Sequence, residues 1–300
     1  MSDWKTPLRL VEQLDKKGNI HEKGVKKLVS AVAEASELGD KLGCAEFIAF
    51  ATSAVRSAPN SEAVLDEVEK QTGVRLQILS GVEEAQLTFL AARRWYGWSA
   101  GRITNLDIGG GSLELSGGID EEPDVALSMP LGAGRLTREW LQEDPPGRRR
   151  VAVLRDWLDN EISASAAKVL AAGTPELAVA TSKTFRSLAR LTGAAPSGAG
   201  PRVKRTLTAA GLRQLISFIS RMTTADRAEL EGVSADRAPQ IVAGALVAEA
   251  TMRALSLDAV DICPWALREG VILRKLDSEA DGTDLVETFA GLAPAKGETR

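Results

Sequence analysis

A glycine-rich segment near the middle of the chain combines residue types that could bind a phosphate. Residues 105–118 read NLDIGGGSLELSGG. Consecutive glycines allow positive φ angles and let backbone amides point into one concavity, a common arrangement around a phosphoryl group. The predicted phosphate-binding residues of this segment are Gly109, Gly110, Gly111 and Ser112. Asp107 would lie beside them, and because a carboxylate next to phosphate needs a cation between the two, it predicts a Mg²⁺ ion. Taken alone, the segment is equally compatible with a turn that binds nothing.

A pair of acids at the start of a predicted helix provides a candidate general base. Glu83 and Glu84 lie in LSGVEEAQLTFLA, residues 79–91. The helix dipole favours acids in a first turn, which is one explanation for the pair. The other explanation is catalytic, since a carboxylate held near a phosphate can orient an attacking water and accept its proton.

Three further segments place polar or cationic residues just after predicted strands. They are ATSAVRSAPN with Arg56, ATSKTFRSLAR with Ser182, Lys183 and Thr184, and CPWALREGVIL with Arg268. Ligands of open α/β sheets bind at the carboxyl ends of strands, and helix N-termini attract anions. Each residue alone could be structural or solvated, but their recurrence at strand ends predicts one phosphate-binding cleft.

The composition indicates a globular protein and excludes several classes of site. The 300 residues are 44% hydrophobic and 26% charged with a net charge of −4, so we expect no nucleic-acid partner. Two cysteines and one histidine argue against a zinc site, a disulfide framework and a Ser/His/Asp triad. The sequence has neither a hydrophobic run long enough to cross a bilayer nor a signal-peptide core, so we expect a cytoplasmic location and no membrane partner.

Hydrophobic periodicity predicts alternating strands and helices. Strand-like segments in the first part are LRLVEQL, AEFIAFAT and VRLQILS, and helical patterns follow each of them. In the second part, RITNLDI and SLELSGGI form the arms of a hairpin joined through the glycines. Further helices are expected at about 151–172, 183–192, 208–222 and 237–256, with strands at ELAVAT and AVDICP between them. This alternation predicts an α/β fold with mixed sheets flanked by helices.

Six of these segments, in order and spacing, resemble the exopolyphosphatase and guanosine pentaphosphate phosphohydrolase (Ppx/GppA) family, a branch of the actin-like (ribonuclease H-like) superfamily. The resemblance runs from about residue 6 to residue 277 and rests on FATSAVRSAPN, LSGVEEAQL, LDIGGGSLEL, PLGAGRLTREW, ATSKTFRSLAR and ALREGVIL. It implies two lobes with a cleft between them. The expected division is an incomplete domain I at 1–98, a domain II at 99–280 and a flexible tail at 281–300.

The resemblance also implies an activity and residue roles. The family hydrolyses the terminal phosphoanhydride of inorganic polyphosphate or of pppGpp, using Mg²⁺. By this resemblance Glu84 activates the water, Asp107 is the carboxylate on the metal side, and residues 109–112 form the second phosphate loop. Arg56 and Arg268 would neutralise phosphoryl oxygens, a role that suits the planar guanidinium group.

The chain departs from the family pattern at two places. Lys183 stands where the family usually has glycine, between Ser182 and Thr184. The first phosphate hairpin, of the type DxGSNS, has no counterpart before LRLVEQL. We therefore expect Met1 to be an internal methionine and the native product to start about 25 to 30 residues earlier, the length of a two-strand hairpin with its connections.

Polyphosphate is the preferred substrate among several alternatives. The basic segments 148–150 and 202–205 could follow a long polyanion, whereas no base-recognition pocket is evident. The alternatives are a pppGpp phosphohydrolase, a non-catalytic protein that binds polyphosphate or nucleotide, and a sugar or acetate kinase of the same superfamily. IVAGALVAEA at 241–250 could serve a kinase's adenosine site, but its small residues are more typical of helix packing. A homodimer is left open.

Overall fold

The computed structural model describes residues 4–282. The chain divides into two compact units, the first ending at Ser80 and the second beginning at Gly81. Residues 81–98, which we assigned to domain I, pack within the second unit. The assignment of the units to actin-like domains stays a prediction, and the predicted tail lies outside the described residues from position 283 onward.

The first unit is built from three helices and a minimal sheet in its described part. Their bounds are α1 (Glu22–Lys41), β1 (Phe50–Ala51), α2 (Ser53–Arg56), α3 (Ser61–Thr72) and β2 (Gln77–Ile78). Strands β1 and β2 pair in parallel, and the helices bury Leu28, Val32, Val64 and Val68 beside them. The expected strand LRLVEQL is wrong: Leu10–Gln13 forms a 3-10 turn instead. A strand needs a neighbour to pair its backbone groups, and among the described residues only Leu14 of this segment makes a bridge, to Ile20.

The second unit contains a six-stranded mixed sheet. Its strands are β3 (Ile103–Ile108), β4 (Leu113–Gly118), β5 (Val125–Met129), β6 (Leu177–Ala180), β7 (Thr206–Thr208) and β8 (Ala259–Ile262). They lie in the order β5-β4-β3-β6-β8-β7, with β3, β6 and β8 parallel and the outer strands antiparallel to their neighbours. The predicted hairpin is confirmed as β3 and β4, in which Asp107 lies opposite Glu114.

Helices cover both faces of this sheet. They are α4 (Gly81–Tyr96), α5 (Ala133–Trp140), α6 (Arg148–Ala171), α7 (Lys183–Leu191), α8 (Ala209–Ile219), α9 (Thr224–Ala228), α10 (Ile241–Ala254) and α11 (Leu267–Asp281). Successive residues of a strand point to opposite faces, so Leu106 and Ile108 pack in the core formed with α6 and α10, whereas Ile103 packs with Phe89 of α4. Asp107 belongs to the face on which α4 lies.

The predicted fold class is confirmed: an α/β arrangement with a mixed sheet flanked by helices. The helices expected near 151, 183, 208 and 237 are α6, α7, α8 and α10. IVAGALVAEA forms most of α10, whose residues are buried almost throughout, as expected for a packing helix. Strands β5 and β7 and helix α5 were not predicted. No helix within residues 4–282 is long and apolar enough to cross a membrane.

Candidate functional site

Three carboxylates come together on the α4 face of the sheet. Glu84 lies in the first turn of α4 and is 8% exposed, and Glu114 on β4 is 4% exposed. The hairpin register sets Glu114 directly opposite Asp107, and opposed residues of an antiparallel pair lie about 5 Å apart between their Cα atoms. The Glu84 and Asp107 charges both act on the carboxyl group of Glu114. The candidate base and the candidate metal ligand therefore share one acidic cluster.

Glu114 is the most strongly perturbed acid of this cluster. Burial, and then the negative charges of Glu84 and Asp107, raise the pKa of Glu114 to about 8. Hydrogen bonds from Ser112 and Ser128 act in the opposite direction, and the Ser128 hydroxyl lies 2.9 Å from a Glu114 carboxylate oxygen. Like charges buried together disfavour full ionisation, so at neutral pH Glu114 holds a proton as long as no cation is bound beside it.

Opposing influences act on the pKa of Asp107 at the end of β3. Desolvation raises the pKa of Asp107 to about 6, while a hydrogen bond from Thr181 and the charges of Arg186 and Arg237 favour its ionised form. The Thr181 hydroxyl donates to the Asp107 carboxylate from the residue that follows β6. Asp107 therefore interacts with two cationic side chains that could also bind phosphate oxygens, and its role as a metal ligand stays a prediction.

The glycine turn between β3 and β4 is closed by backbone hydrogen bonds. The Gly109 amide donates to the Ser112 carbonyl at 2.9 Å. The start of α5 docks onto the turn, because the amides of Ala133 and Arg135 donate to the carbonyls of Gly109 and Gly110, both at 3.0 Å. A Cβ on Gly132 would overlap the backbone of the turn. Gly132 of PLGAGRL therefore allows the start of α5 to lie close against the turn and support it. Gly109 has no positive φ, so the turn does not use the left-handed conformation that glycine permits at that position.

Ser182 and Thr184 connect the turn after β6 to the end of β3. The Ser182 hydroxyl accepts from the Phe185 amide, which caps α7, and from the Ile108 amide at 3.4 Å. Thr184 is buried and donates its hydroxyl to the Ile108 carbonyl at 3.0 Å. Both side chains thus fix the backbone that precedes the glycine turn. Direct contact of either with phosphate stays a prediction, as it does for Lys183, which is exposed at the start of α7.

Arg186 and Arg237 are cations of the site that the sequence analysis did not select. Both interact electrostatically with Asp107, and Arg237 Nη1 lies 3.4 Å from Thr184 Oγ1. Arg186 occurs in ATSKTFRSLAR, one helical turn after Ser182, which was a usable signal. Arg237 follows α9 in a segment without a recognisable motif. The sequence contained a clearer indication of Glu114, because the register of a hairpin with a short turn sets this residue opposite Asp107.

Arg56 and Arg268 are the other two predicted arginines. Arg56 ends α2 in the first unit, where its guanidinium donates to the Leu79 carbonyl. Arg268 is exposed near the start of α11 and pairs with Glu269, with Nη2 at 2.8 Å from Oε1. The phosphate-binding roles of both arginines stay predictions.

The donor set of the acidic cluster fits Mg²⁺ held jointly by protein and substrate. Among residues 4–282, no group of three or more His, Cys, Asp or Glu side chains is arranged to hold a metal ion by itself. Mg²⁺ commonly takes one or two carboxylates and completes its coordination with waters and phosphate oxygens. Asp107 would supply one such carboxylate, and Glu114 would supply a second once it loses its proton.

Comparisons with known proteins identify the family of the chain. The Ppx/GppA phosphatase family matches residues 1–279 of the chain. Exopolyphosphatase 1 of Mycobacterium tuberculosis is 73% identical over 288 residues, which are 96% of this chain and 84% of that protein.

Solved structures show the same fold. An exopolyphosphatase from Cytophaga hutchinsonii has a TM-score of 0.78 at 23% identity, over 90% of this chain and 86% of that one. A Ppx/GppA family member from Aquifex aeolicus has a TM-score of 0.74 at 24% identity, over 91% of this chain and 87% of that one. The six motifs, the fold and the identity to characterised sequences lead to one conclusion: the chain belongs to the Ppx/GppA phosphatase family.

Proposed function

We propose that this protein is an exopolyphosphatase, which removes the terminal phosphate from inorganic polyphosphate. The observation that carries the proposal is the buried acidic cluster of Glu84, Asp107 and Glu114 beside the glycine turn. In the reaction, a water oxygen bonds to the terminal phosphorus and the bridging P–O bond breaks. Orthophosphate leaves, together with a chain one unit shorter.

Glu84 acts as the general base. Its carboxylate orients the attacking water and accepts its proton, a role that contributes about 10² to 10⁴ to the rate in enzymes of many classes. Its burial at the start of α4 keeps it near Glu114 and Asp107. Bound Mg²⁺, with Asp107 as its protein ligand, would supply charge neutralisation at the phosphoryl oxygens. The amides of residues 110–112 and the cations Arg186 and Arg237 add to that neutralisation.

Identity favours polyphosphate over pppGpp as the substrate. The mycobacterial relative at 73% identity carries the name Exopolyphosphatase 1. Substrate pockets at this level of identity usually keep their residues, so we assign the same substrate here. A cytoplasmic location and a homodimer stay predictions that the sequence raised.

The test compares Glu84→Gln with Glu83→Gln, a change of the neighbouring acid in the same helical turn. Phosphate release from polyphosphate is measured with Mg²⁺ present, together with polyphosphate binding by calorimetry. We expect Glu84→Gln to lower kcat about 10² to 10⁴ fold while binding persists, because the amide cannot accept the proton. Glu83→Gln should retain most of the wild-type rate.

Two results would contradict the assignment. An unchanged rate in Glu84→Gln would remove Glu84 from the role of base. Absence of phosphate release by the unmodified chain, with binding intact, would instead support the non-catalytic alternative.

A further inference from the structure

A cationic pocket lies in the second unit next to the acidic cluster. Helix α7, the loop at 195–205 and the segment 231–237 enclose a cavity of about 570 Å³. This volume is within the range of about 300 to 1,000 Å³ found for small-molecule sites. Its cationic lining residues are Lys183, Arg186, Arg190, Arg205 and Arg237.

Acidic residues neutralise only part of this charge. Glu231 lines the pocket and pairs with Arg190. Asp236 interacts electrostatically with Arg237 and Lys183. Asp107 interacts with Arg186 and Arg237 as well, so five cationic side chains face three acids and the pocket has more positive than negative groups.

Arg205 shapes the outer wall of the pocket. Its guanidinium donates to the carbonyls of Ala195 at 2.9 Å, Val203 at 2.8 Å and Gly200 at 3.0 Å. These bonds organise the loop at 195–205 around one side chain. The wall is thus preformed, which lowers the entropic cost of binding a ligand.

The guanidinium groups of Arg186 and Arg237 could each donate a further hydrogen bond inside the protein. Within residues 4–282, the buried Nε atoms of both arginines lack a hydrogen-bond partner. Arg186 Nη2 donates to the Pro264 carbonyl at 3.3 Å. Burial lowers the pKa of Arg237, while Asp236 and Asp107 act to raise it. Buried guanidinium donors without partners are costly, and an anion in the pocket would satisfy them.

The same two arginines link the pocket to the catalytic carboxylates. Both line the cavity, and both interact electrostatically with Asp107. A phosphate chain whose terminal unit lies at Asp107 therefore meets the pocket through Arg186 and Arg237.

We propose that this pocket binds the units of a polyphosphate chain that follow those held at the acidic cluster. Guanidinium groups form paired hydrogen bonds with phosphate oxygens, and five cations in one cavity match a ligand with a charge on every unit. The inference rests on the proposed function for the position of the terminal unit. It adds a second binding region, which favours chains long enough to occupy both.

The test changes two pocket arginines and one arginine elsewhere on the second unit. Arg186→Gln and Arg190→Gln remove pocket charges, and Arg213→Gln removes an exposed charge on α8 as the matched control. Binding of tripolyphosphate and of a long polyphosphate is measured by calorimetry in the Glu84→Gln background, which prevents turnover. Thermal unfolding of each variant checks that it folds, and Arg186→Lys replaces Arg186→Gln if the latter does not.

We expect each pocket variant to weaken binding of the long polyphosphate about tenfold or more, the effect of losing a charge-assisted hydrogen bond. Binding of tripolyphosphate should be weakened less, because fewer of its units reach the pocket. Wild-type affinity for the long chain in both pocket variants would overturn the proposal.

Kinetics of the unmodified protein distinguish a failure of the pocket proposal from a failure of the exopolyphosphatase assignment. If the protein hydrolyses polyphosphate and the pocket variants bind the long chain normally, only the pocket proposal fails. If the protein does not hydrolyse polyphosphate but the pocket variants lose binding, the exopolyphosphatase assignment fails and the pocket stands as a polyphosphate-binding site.

Discussion

Glu114 shows how much a residue's chemistry depends on its neighbours. On an exposed strand it would be an ordinary ionised glutamate. Here β4 buries it opposite Asp107, and Glu84 approaches from α4, so its carboxyl group has a pKa of about 8. Glu84 and Asp107 gain their proposed roles from the same arrangement, since a third acid that keeps its proton adds no further negative charge beside them.

The raised pKa of Glu114 predicts a pH-dependent stability. Its value rises from 4.5 in the unfolded chain to about 8 in the folded protein. Between these pH values the folded protein binds the additional proton, so this group lowers the free energy of unfolding as pH rises, by up to about 1.4 kcal/mol per pH unit. Glu114→Gln is neutral at every pH, so its stability relative to wild type should increase from about pH 5 to about pH 8.

Urea unfolding in the presence of a chelator measures this difference. Glu161→Gln, an exposed change on α6, is the control and should show the same pH dependence as the wild type. A constant difference between Glu114→Gln and wild type across this pH range would show that Glu114 ionises normally in the folded protein.

At the scale of elements, the crossing of α4 and α11 positions the proposed base. Gly270 of α11 lies against the backbone of Leu87 on α4, where a Cβ would overlap the Leu87 carbonyl oxygen. Leu87 follows Glu84 by about one helical turn. Arg94, further along α4, pairs with Asp277 of α11 and with Glu121. The motif ALREGV therefore contributes through packing at Gly270, whereas the phosphate-binding role of Arg268 stays a prediction.

Gly270→Ala should move the two helices apart. We expect the free energy of unfolding to fall by about 1 to 3 kcal/mol, the usual cost of an overpacked contact. Polyphosphate hydrolysis should fall as well, since Glu84 shifts with α4. Denaturant unfolding and phosphate release measure the two effects.

The matched control is Gly198→Ala, because a Cβ at that position meets no atom within 4 Å and its φ is not positive. Its stability should stay within about 0.5 kcal/mol of wild type. Equal stability of the two alanine variants would contradict the proposed role of Gly270.

At the scale of the whole molecule, the two units differ in the size of their cores. The sheet of the first unit has two strands of two residues each, and the second unit has a six-stranded sheet. The extended core of the second unit includes both sides of α10 and the buried faces of β3 and β4. Local stability follows the amount of buried apolar contact, so the units should differ in their opening free energies.

Hydrogen exchange followed by mass spectrometry tests this difference. We expect amides of α1 and α3 to exchange faster than those of β3, β4 and α10, because opening the first unit exposes less apolar surface. Equal protection of the helices in both units would show that they open as one cooperative body.

Local patterns in the sequence determined most of the second unit. Alternating apolar residues and three consecutive glycines predicted the β3–β4 hairpin, and apolar residues at helical spacing predicted α6, α7, α8 and α10. These predictions succeed because backbone conformation and amphipathic periodicity are properties of neighbouring residues. The expected strand LRLVEQL failed for the converse reason, since a strand depends on a partner that is distant in sequence.

Tertiary structure alone decided which side chains share the site. Asp107 and Glu84 were predicted as candidates from their types and motifs. Both charges act on Glu114 only because β4 pairs with β3 and α4 packs over that hairpin. Arg186 and Arg237 reach Asp107 from two separate elements of the second unit. Electrostatic interaction depends on distance and burial, and neither quantity is encoded at any one position of the chain.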